Sequence, residues 1–205
     1  MIVLVDFGTG NLRSILYKLN KIGIDVTVSS KTEDTEKADK LILPGVGAFG
    51  AGMNNLNQLG MVPILHRKVL IEKIPILGIC LGMHLFTKAS EEGSGEGLAW
   101  IDAEVKRFDF QENREDLRIP HVGWNTIDQK RDSLLLKGVL PQQRFYFKYS
   151  YHVCCHSNND IIATTHYGYD FVSVIQHENI FGVQFHPEKS HRRGLKIIKN
   201  FIELI

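Results

Sequence analysis

Apolar residues in the first eighty positions come in short unbroken runs, separated by stretches at helical spacing. Ile2–Phe7 is such a run, as expected for a strand buried on both faces. Gly8-Thr9-Gly10-Asn11 interrupts it. Leu12, Ile15, Leu16, Leu19 and Ile22 then recur on one helical face, which Gly23 ends. Asp25–Val28 and Lys40–Leu43 predict two more strands, the second running into Pro44-Gly45-Val46-Gly47. A helical region over about Gly52–Ile71, interrupted near Gly60 and Pro63, leads to a fourth strand at Pro75–Ile79. Strands alternating with helices predict βαβ units and a parallel sheet.

The second half has a different rhythm. Alternating or aromatic-rich runs lie at Trp100–Phe108, Arg118–Thr126, Arg144–Tyr149, Tyr151–Cys155, Ile161–Thr164 and Phe171–Gln176. Turn residues such as Gly97, Asn113, Gly138, Asn158 and Gly168 fall between them. These predict added, mostly antiparallel strands. Ile180–Phe185 predicts a last strand, and Leu195, Ile198, Phe201, Ile202 and Ile205 form the apolar face of a C-terminal helix. The expected fold is α/β: a three-layer sandwich with a central, mostly parallel sheet and an added antiparallel strand region. No repeat or interdomain linker is visible, so residues 1–205 are expected to form a single domain.

Composition adds mainly exclusions. A chain of 205 residues with 43% hydrophobic and 23% charged residues is ordinary globular material. With 24 basic against 23 acidic residues, the net charge is +1, so no nucleic-acid or membrane footprint is expected. No run approaches the roughly 18 apolar residues of a membrane span. Three cysteines do not build a disulfide framework, and the opening Met1–Gly10 carries no signal-peptide features. A reducing, cytoplasmic location is the expectation. Local basic density peaks at Lys189, His191, Arg192, Arg193, Lys196 and Lys199, a solvated helix face or a docking surface.

The strongest chemical signal is Gly78-Ile79-Cys80-Leu81-Gly82, where a strand pattern runs into a helical one. This is the nucleophile-elbow layout, with glycines where neighbouring Cβ atoms would clash. It places Cys80 at a helix N-terminus, which favours thiolate, and lets the Leu81 amide face a developing oxyanion. Among nine histidines, His186 stands out because it ends a strand, in Phe185-His186-Pro187-Glu188. Glu188 can fold back onto the imidazole, giving nucleophile, base and orienting carboxylate. The glycine-rich turn after the third strand offers a second oxyanion donor from Val46 or Gly47. Gly8–Asn11 lacks the residues of a nucleotide loop, Cys154-Cys155 lacks metal-ligand spacing, and neither a metal nor a cofactor is expected.

Taken together, Gly78–Gly82, Pro44–Gly50 and Gly182–Ser190 resemble the class I glutamine amidotransferases. With Val5–Ser14 and Ile119–Asn125, the whole chain is similar to the glutaminase subunits of imidazole glycerol phosphate synthases. The resemblance implies that L-glutamine is the substrate and that Cys80, His186 and Glu188 are catalytic. It further implies that Val46, Gly47, Leu81, His84, Ser150 and Tyr151 border the substrate or oxyanion. Asn11, Pro120, His121, Trp124 and Asn125 are implied to face a partner. That partner would be a separate ammonia-accepting synthase, in the family a (β/α)-barrel cyclase.

Two positions depart from the family pattern. His84 stands where a glutamine is usual, and Phe147–Tyr151 replaces an aromatic-Val-His-Ser-Tyr stretch. With Ser190–Gly194, these resemble paralogues that supply ammonia for amidination of bacterial surface sugars. A standalone Cys-His hydrolase of γ-glutamyl substrates and a non-catalytic module on the same fold are the other readings.

Overall fold

The computed structural model describes residues 1–93, 95–110 and 117–205, so the turn expected at Asn113 lies outside the described residues. The strands are β1 (Ile2–Val5), β2 (Thr27–Ser29), β3 (Lys40–Gly45), β4 (Ile76–Cys80), β5 (Ala89–Ser90), β6 (Ala103–Arg107) and β7 (His121–Thr126). They continue with β8 (Asp128–Gln129), β9 (Arg144–Tyr149), β10 (Tyr151–Cys155), β11 (Ile161–Tyr167), β12 (Tyr169–His177) and β13 (Ile180–Val183). The helices are α1 (Leu12–Lys21), α2 (Thr32–Glu36), α3 (Phe49–Gln58), α4 (Met61–His66), α5 (Leu81–Leu85) and α6 (His191–Leu204).

Eleven strands form one sheet in the order β2-β1-β3-β4-β13-β12-β10-β6-β5, with β11 also pairing with β12 and β8 pairing with β11. From β2 to β13 every pairing is parallel. From β13 through β12 and β10 to β6 the pairings are antiparallel. β7 and β9 form a separate antiparallel ribbon. The architecture is α/β, with a parallel half and an antiparallel extension, as expected from the chain's change of rhythm.

Side-chain alternation explains the layers. Val3, Val5, Leu41, Leu43 and Ile76 pack with Phe49, Met53, Leu56, Leu65 and Leu85 from α3, α4 and α5. On the other face, Leu4, Ile42, Leu77 and Val183 pack with Ile15 and Leu19 of α1 and Ile197, Ile198 and Phe201 of α6. Both faces are covered, which is why these strands read as continuous apolar runs.

The helical region after β3 breaks once rather than twice. Gly60, at φ +65°, separates α3 from α4. Pro63 lies in the first turn of α4, where an amide hydrogen is not needed, so it interrupts nothing. α2 carries no apolar periodicity, and Thr35 is its buried position. Trp100, expected to open a strand, instead stacks on Phe86 at 5.1 Å, and β6 begins at Ala103.

Candidate active site

β4 delivers Cys80 to the carboxyl edge of the sheet, between β3 and β13. Its backbone is left-handed, at φ +52° and ψ −110°, and α5 begins at the next residue. Such a conformation costs a non-glycine residue on the order of 1–3 kcal/mol, so the surroundings must impose it. They do so through the flanking glycines. A Cβ at Gly82 would lie 1.7 Å from the Leu43 carbonyl oxygen. One at Gly78 would meet the Phe86 ring at 2.5 Å and the Met83 nitrogen at 2.7 Å. The elbow is therefore tight on both sides of the cysteine.

His186 and Glu188 come from the turn between β13 and α6. The His186 amide donates to the Tyr146 carbonyl at 2.8 Å. Ser190 locks the same turn: its hydroxyl donates to the His186 carbonyl at 2.6 Å and accepts from the Tyr146 amide at 2.9 Å. His186 Nδ1 donates to Glu188 Oε1 at 3.0 Å, and both side chains are buried. Lys18 of α1 reaches the Glu188 carbonyl from below. Cys80 interacts electrostatically with the His186 imidazole.

The electrostatics follow from that geometry. Burial opposes a charge on His186, but the negative charge and hydrogen bond of Cys80, followed by Glu188, outweigh it and raise the imidazole to about 10. Tyr149 is driven well above its ordinary value, first by burial and then by the Cys80 charge, and stays a neutral hydroxyl. The arrangement is a raised imidazole facing the Cys80 sulfur on one side and the buried Glu188 side chain on the other.

A cleft of about 610 Å³ opens over the pair, lined by Asn11, Val46, Gly47, Cys80, Leu81, His84, Pro120, Ser150, Tyr151 and His186 among others. It thus gathers most of the residues that the sequence singles out. Gly47, at φ +106°, has open space around its missing Cβ, so this position requires glycine for its conformation rather than for room. Glu188 sits behind His186 rather than on the cleft wall. Lys148, Tyr149, Glu92 and Lys189 also line the cleft. Glu92 accepts the Phe49 amide at 3.0 Å, capping the start of α3.

Of the expected partner-facing residues, His121 is not on a surface. It is 5% exposed, stacked on Tyr167 at 3.9 Å and Phe147 at 5.3 Å, with Nδ1 3.2 Å from the Tyr149 hydroxyl. β7 alternates, and its apolar-facing positions turn inward onto the aromatic cluster, which takes His121 with them. Trp124, by contrast, is 41% exposed and lies flat on His191 at 5.1 Å. Both border a second hollow with Arg144, Arg192 and Arg193. Asn125 donates to the His166 carbonyl at 2.9 Å.

Gln184 escaped the sequence reading. It is fully buried one residue beyond β13 and contacts both His84 and Cys80. The available signal was a polar residue in an otherwise apolar strand, two positions before His186. Among the described residues, no helix is long and apolar enough to cross a membrane, and no group of three His, Cys, Asp or Glu side chains is gathered as for a metal.

Fold and site together define an α/β protein with a cysteine at a strand-to-helix elbow and a histidine–carboxylate pair at the end of the neighbouring strand. The chain belongs to the glutamine amidotransferase class-I family, whose profile matches residues 3–204. It is 44% identical, over the full length of both chains, to a Pseudomonas aeruginosa protein named imidazole glycerol phosphate synthase subunit HisH 2. A Methanococcus maripaludis protein of the same name is 46% identical over 99% of each chain. Among solved structures, one described as a glutamine amidotransferase superposes with a TM-score of 0.73 at 20% identity, covering 99% of this chain and 97% of that one. The family resemblance read from the motifs therefore holds.

Proposed function

We propose that the chain is the glutaminase subunit of an imidazole glycerol phosphate synthase. It would hydrolyse L-glutamine to L-glutamate and ammonia and pass the ammonia to a separate cyclase subunit in histidine biosynthesis. The observation that carries the reading is the buried Cys80–His186–Glu188 array at the floor of an open cleft.

In this reading the Cys80 thiolate attacks the side-chain amide carbon of glutamine, forming a C–S bond and a tetrahedral oxyanion. Amides of Leu81 and the Val46–Gly47 turn stabilise that oxygen. The His186 imidazolium gives its proton to the departing nitrogen, the C–N bond breaks, and ammonia leaves a thioester behind. A water molecule, deprotonated by the now neutral His186, then attacks the thioester. The C–S bond breaks, and glutamate leaves with the thiolate–imidazolium pair restored. Glu188 holds the imidazole in the tautomer that presents Nε2 to the sulfur.

A separate acceptor follows from the chemistry of the product. Free ammonia protonates and diffuses away in water, so an acceptor should dock over the cleft, and Asn11 and Pro120 on its lining, with the exposed Trp124 on the second hollow, suit that role. We assign a (β/α)-barrel cyclase as the partner and a reducing, cytoplasmic setting, which keeps Cys80 as a thiol. The relatives compared above carry the synthase name, and nothing in them favours the surface-sugar paralogue or the standalone γ-glutamyl hydrolase.

The test is glutamate release from glutamine by the purified protein, alone and with a barrel cyclase plus its nucleotide substrate, with Cys80→Ala as control. Release stimulated by the cyclase and abolished in Cys80→Ala is expected. Absence of Cys80-dependent release under every condition overturns the proposal.

A further inference from the structure

Cys80 has a second polar neighbour besides His186. Gln184 Nε2 lies 3.8 Å from Cys80 Sγ, within the range of an N–H···S hydrogen bond. The other end of the same amide, Oε1, is 2.7 Å from His84 Nε2. All three side chains are buried, with His84 4% and Gln184 0% exposed. They form a short chain, His84 to Gln184 to Cys80.

Each member is held by its own backbone. Cys80 and His84 belong to one rigid unit, the elbow and the first turn of α5, and Thr87 fixes that turn by donating to the His84 carbonyl at 2.8 Å. Gln184 is fixed from the sheet, where its backbone N–H donates to the Ser173 carbonyl at 2.9 Å. The backbones that carry the three side chains are therefore fixed relative to one another.

A primary amide has two unlike ends, and which end faces the sulfur matters. A thiolate only accepts, so the NH2 end stabilises it and the carbonyl end repels it. His84 makes the choice. With a proton on Nε2 it donates to Gln184 Oε1, which leaves the NH2 group facing Cys80. The opposite tautomer would accept from the amide and turn the carbonyl toward the sulfur. Burial holds the His84 imidazole down to about 4, so it serves as a neutral donor with one proton to place.

We propose that Gln184 donates a hydrogen bond to the Cys80 sulfur that favours its thiolate, and that His84 is a positioning residue whose Nε2–H fixes the direction of the Gln184 amide. The role rests on the glutaminase reading for its purpose but not for its test, because thiol reactivity can be measured without glutamine. His84 then serves the nucleophile through Gln184 instead of gripping the substrate.

The experiment is the rate of Cys80 alkylation by iodoacetamide in the full chain, read by mass spectrometry of the Cys80 peptide across a pH series. Steady-state kinetics on glutamine run beside it. The titratable groups that act on the sulfur, His186 and the neutral Tyr149, are left unchanged throughout. In Gln184→Leu, the inflection of the alkylation profile should move up by about one pH unit, so that alkylation on its acid side slows about tenfold, since a hydrogen bond to a charged group is worth that much. Turnover should fall with it while KM stays within about twofold, because the lost interaction is with the nucleophile and not the substrate.

His84→Leu should slow alkylation in the same direction, and His84→Gln, whose amide can still donate to Oε1, should restore it. The double variant Gln184→Leu/His84→Leu should be no slower than Gln184→Leu alone, because His84 acts only through the amide. If His84→Leu leaves alkylation unchanged and raises only KM, or if the two losses add, the relay is overturned. The His84 pair decides the matter even if Gln184→Leu does not fold. A protein that alkylates as expected but never releases glutamate would refute the glutaminase reading and leave the relay standing.

Discussion

Replacing Gly82 by alanine tests the elbow with a single methyl group. The added carbon would sit 1.7 Å from the Leu43 carbonyl oxygen and 2.8 Å from its carbonyl carbon. Ordinary contact needs roughly 1.5 Å more than the first of these distances provides, at the carbon–oxygen separations of packed interiors. Leu43 cannot retreat easily, because it is a β3 backbone unit in register with Gly78 of β4. The strain must therefore move α5 and with it Cys80. Overpacking of this kind costs about 1–3 kcal/mol of stability. A displacement of the nucleophile of about 1 Å costs on the order of 100-fold in turnover. Urea unfolding and glutamate release measure the two effects separately. Gly50→Ala is the control, since it sits in α3 with open space at its Cβ and should be neutral or stabilising by up to about 1 kcal/mol. A Gly82→Ala protein with native stability and native turnover would refute the account of why the elbow needs glycine.

Two further outcomes follow from the buried imidazoles. His186→Asn removes the cation beside the Cys80 sulfur, so iodoacetamide labelling of Cys80 at pH 7 should slow by about tenfold or more, and unchanged labelling would mean that the pair is not an ion pair. His84 and His121 are each held at about 4 by burial, so between that value and the ordinary 6.5 the unfolded chain binds up to one more proton at each than the folded chain. Their contribution is present above about 6.5 and lost as pH falls toward 4, with a slope approaching about 1.4 kcal/mol per pH unit for each imidazole. Urea unfolding between pH 7.5 and pH 5 measures the slope. His121→Phe, which keeps the stacking, should reduce it, and an identical slope in that variant would contradict a buried neutral His121.

How far the sequence reveals this molecule depends on which force places each residue. The parallel strands were legible because both faces are buried and the apolar runs are unbroken, as in Leu41–Leu43 and Ile76–Ile79. The elbow was legible because Gly78 and Gly82 both stand two positions from Cys80, although the atom that excludes a Cβ at Gly82 is the Leu43 carbonyl of β3. α2 was not legible, because its Thr-Glu-Asp-Thr-Glu sequence has no periodicity and packing fixes it through Thr35. His121 was expected at a partner face because its stretch resembles the family's partner-facing one, but strand alternation sends it inward while Val122 and Trp124 are exposed, at 52% and 41%. Gln184 could not be assigned a role without the fold, since both of its partners lie across the sheet order on α5 and β4. Tertiary contacts across long separations leave no local trace.

The separation itself has a consequence. The strand that brings Gln184 and His186 is inserted between β4 and β12, and Gln184 lies 104 positions along the chain from the sulfur it touches. The two halves of the reactive centre are thus brought together across the middle seam of the sheet, with His186 on a short turn three residues beyond β13 that Ser190 and Tyr146 lock in place. No local fraying at an edge can part cysteine from histidine, and no fragment of the first half carries a primed thiol. Reactivity of Cys80 then serves as a gauge of cooperative folding: it should vanish over the same denaturant range as the whole sheet, and hydrogen exchange in β13 should proceed only through global opening.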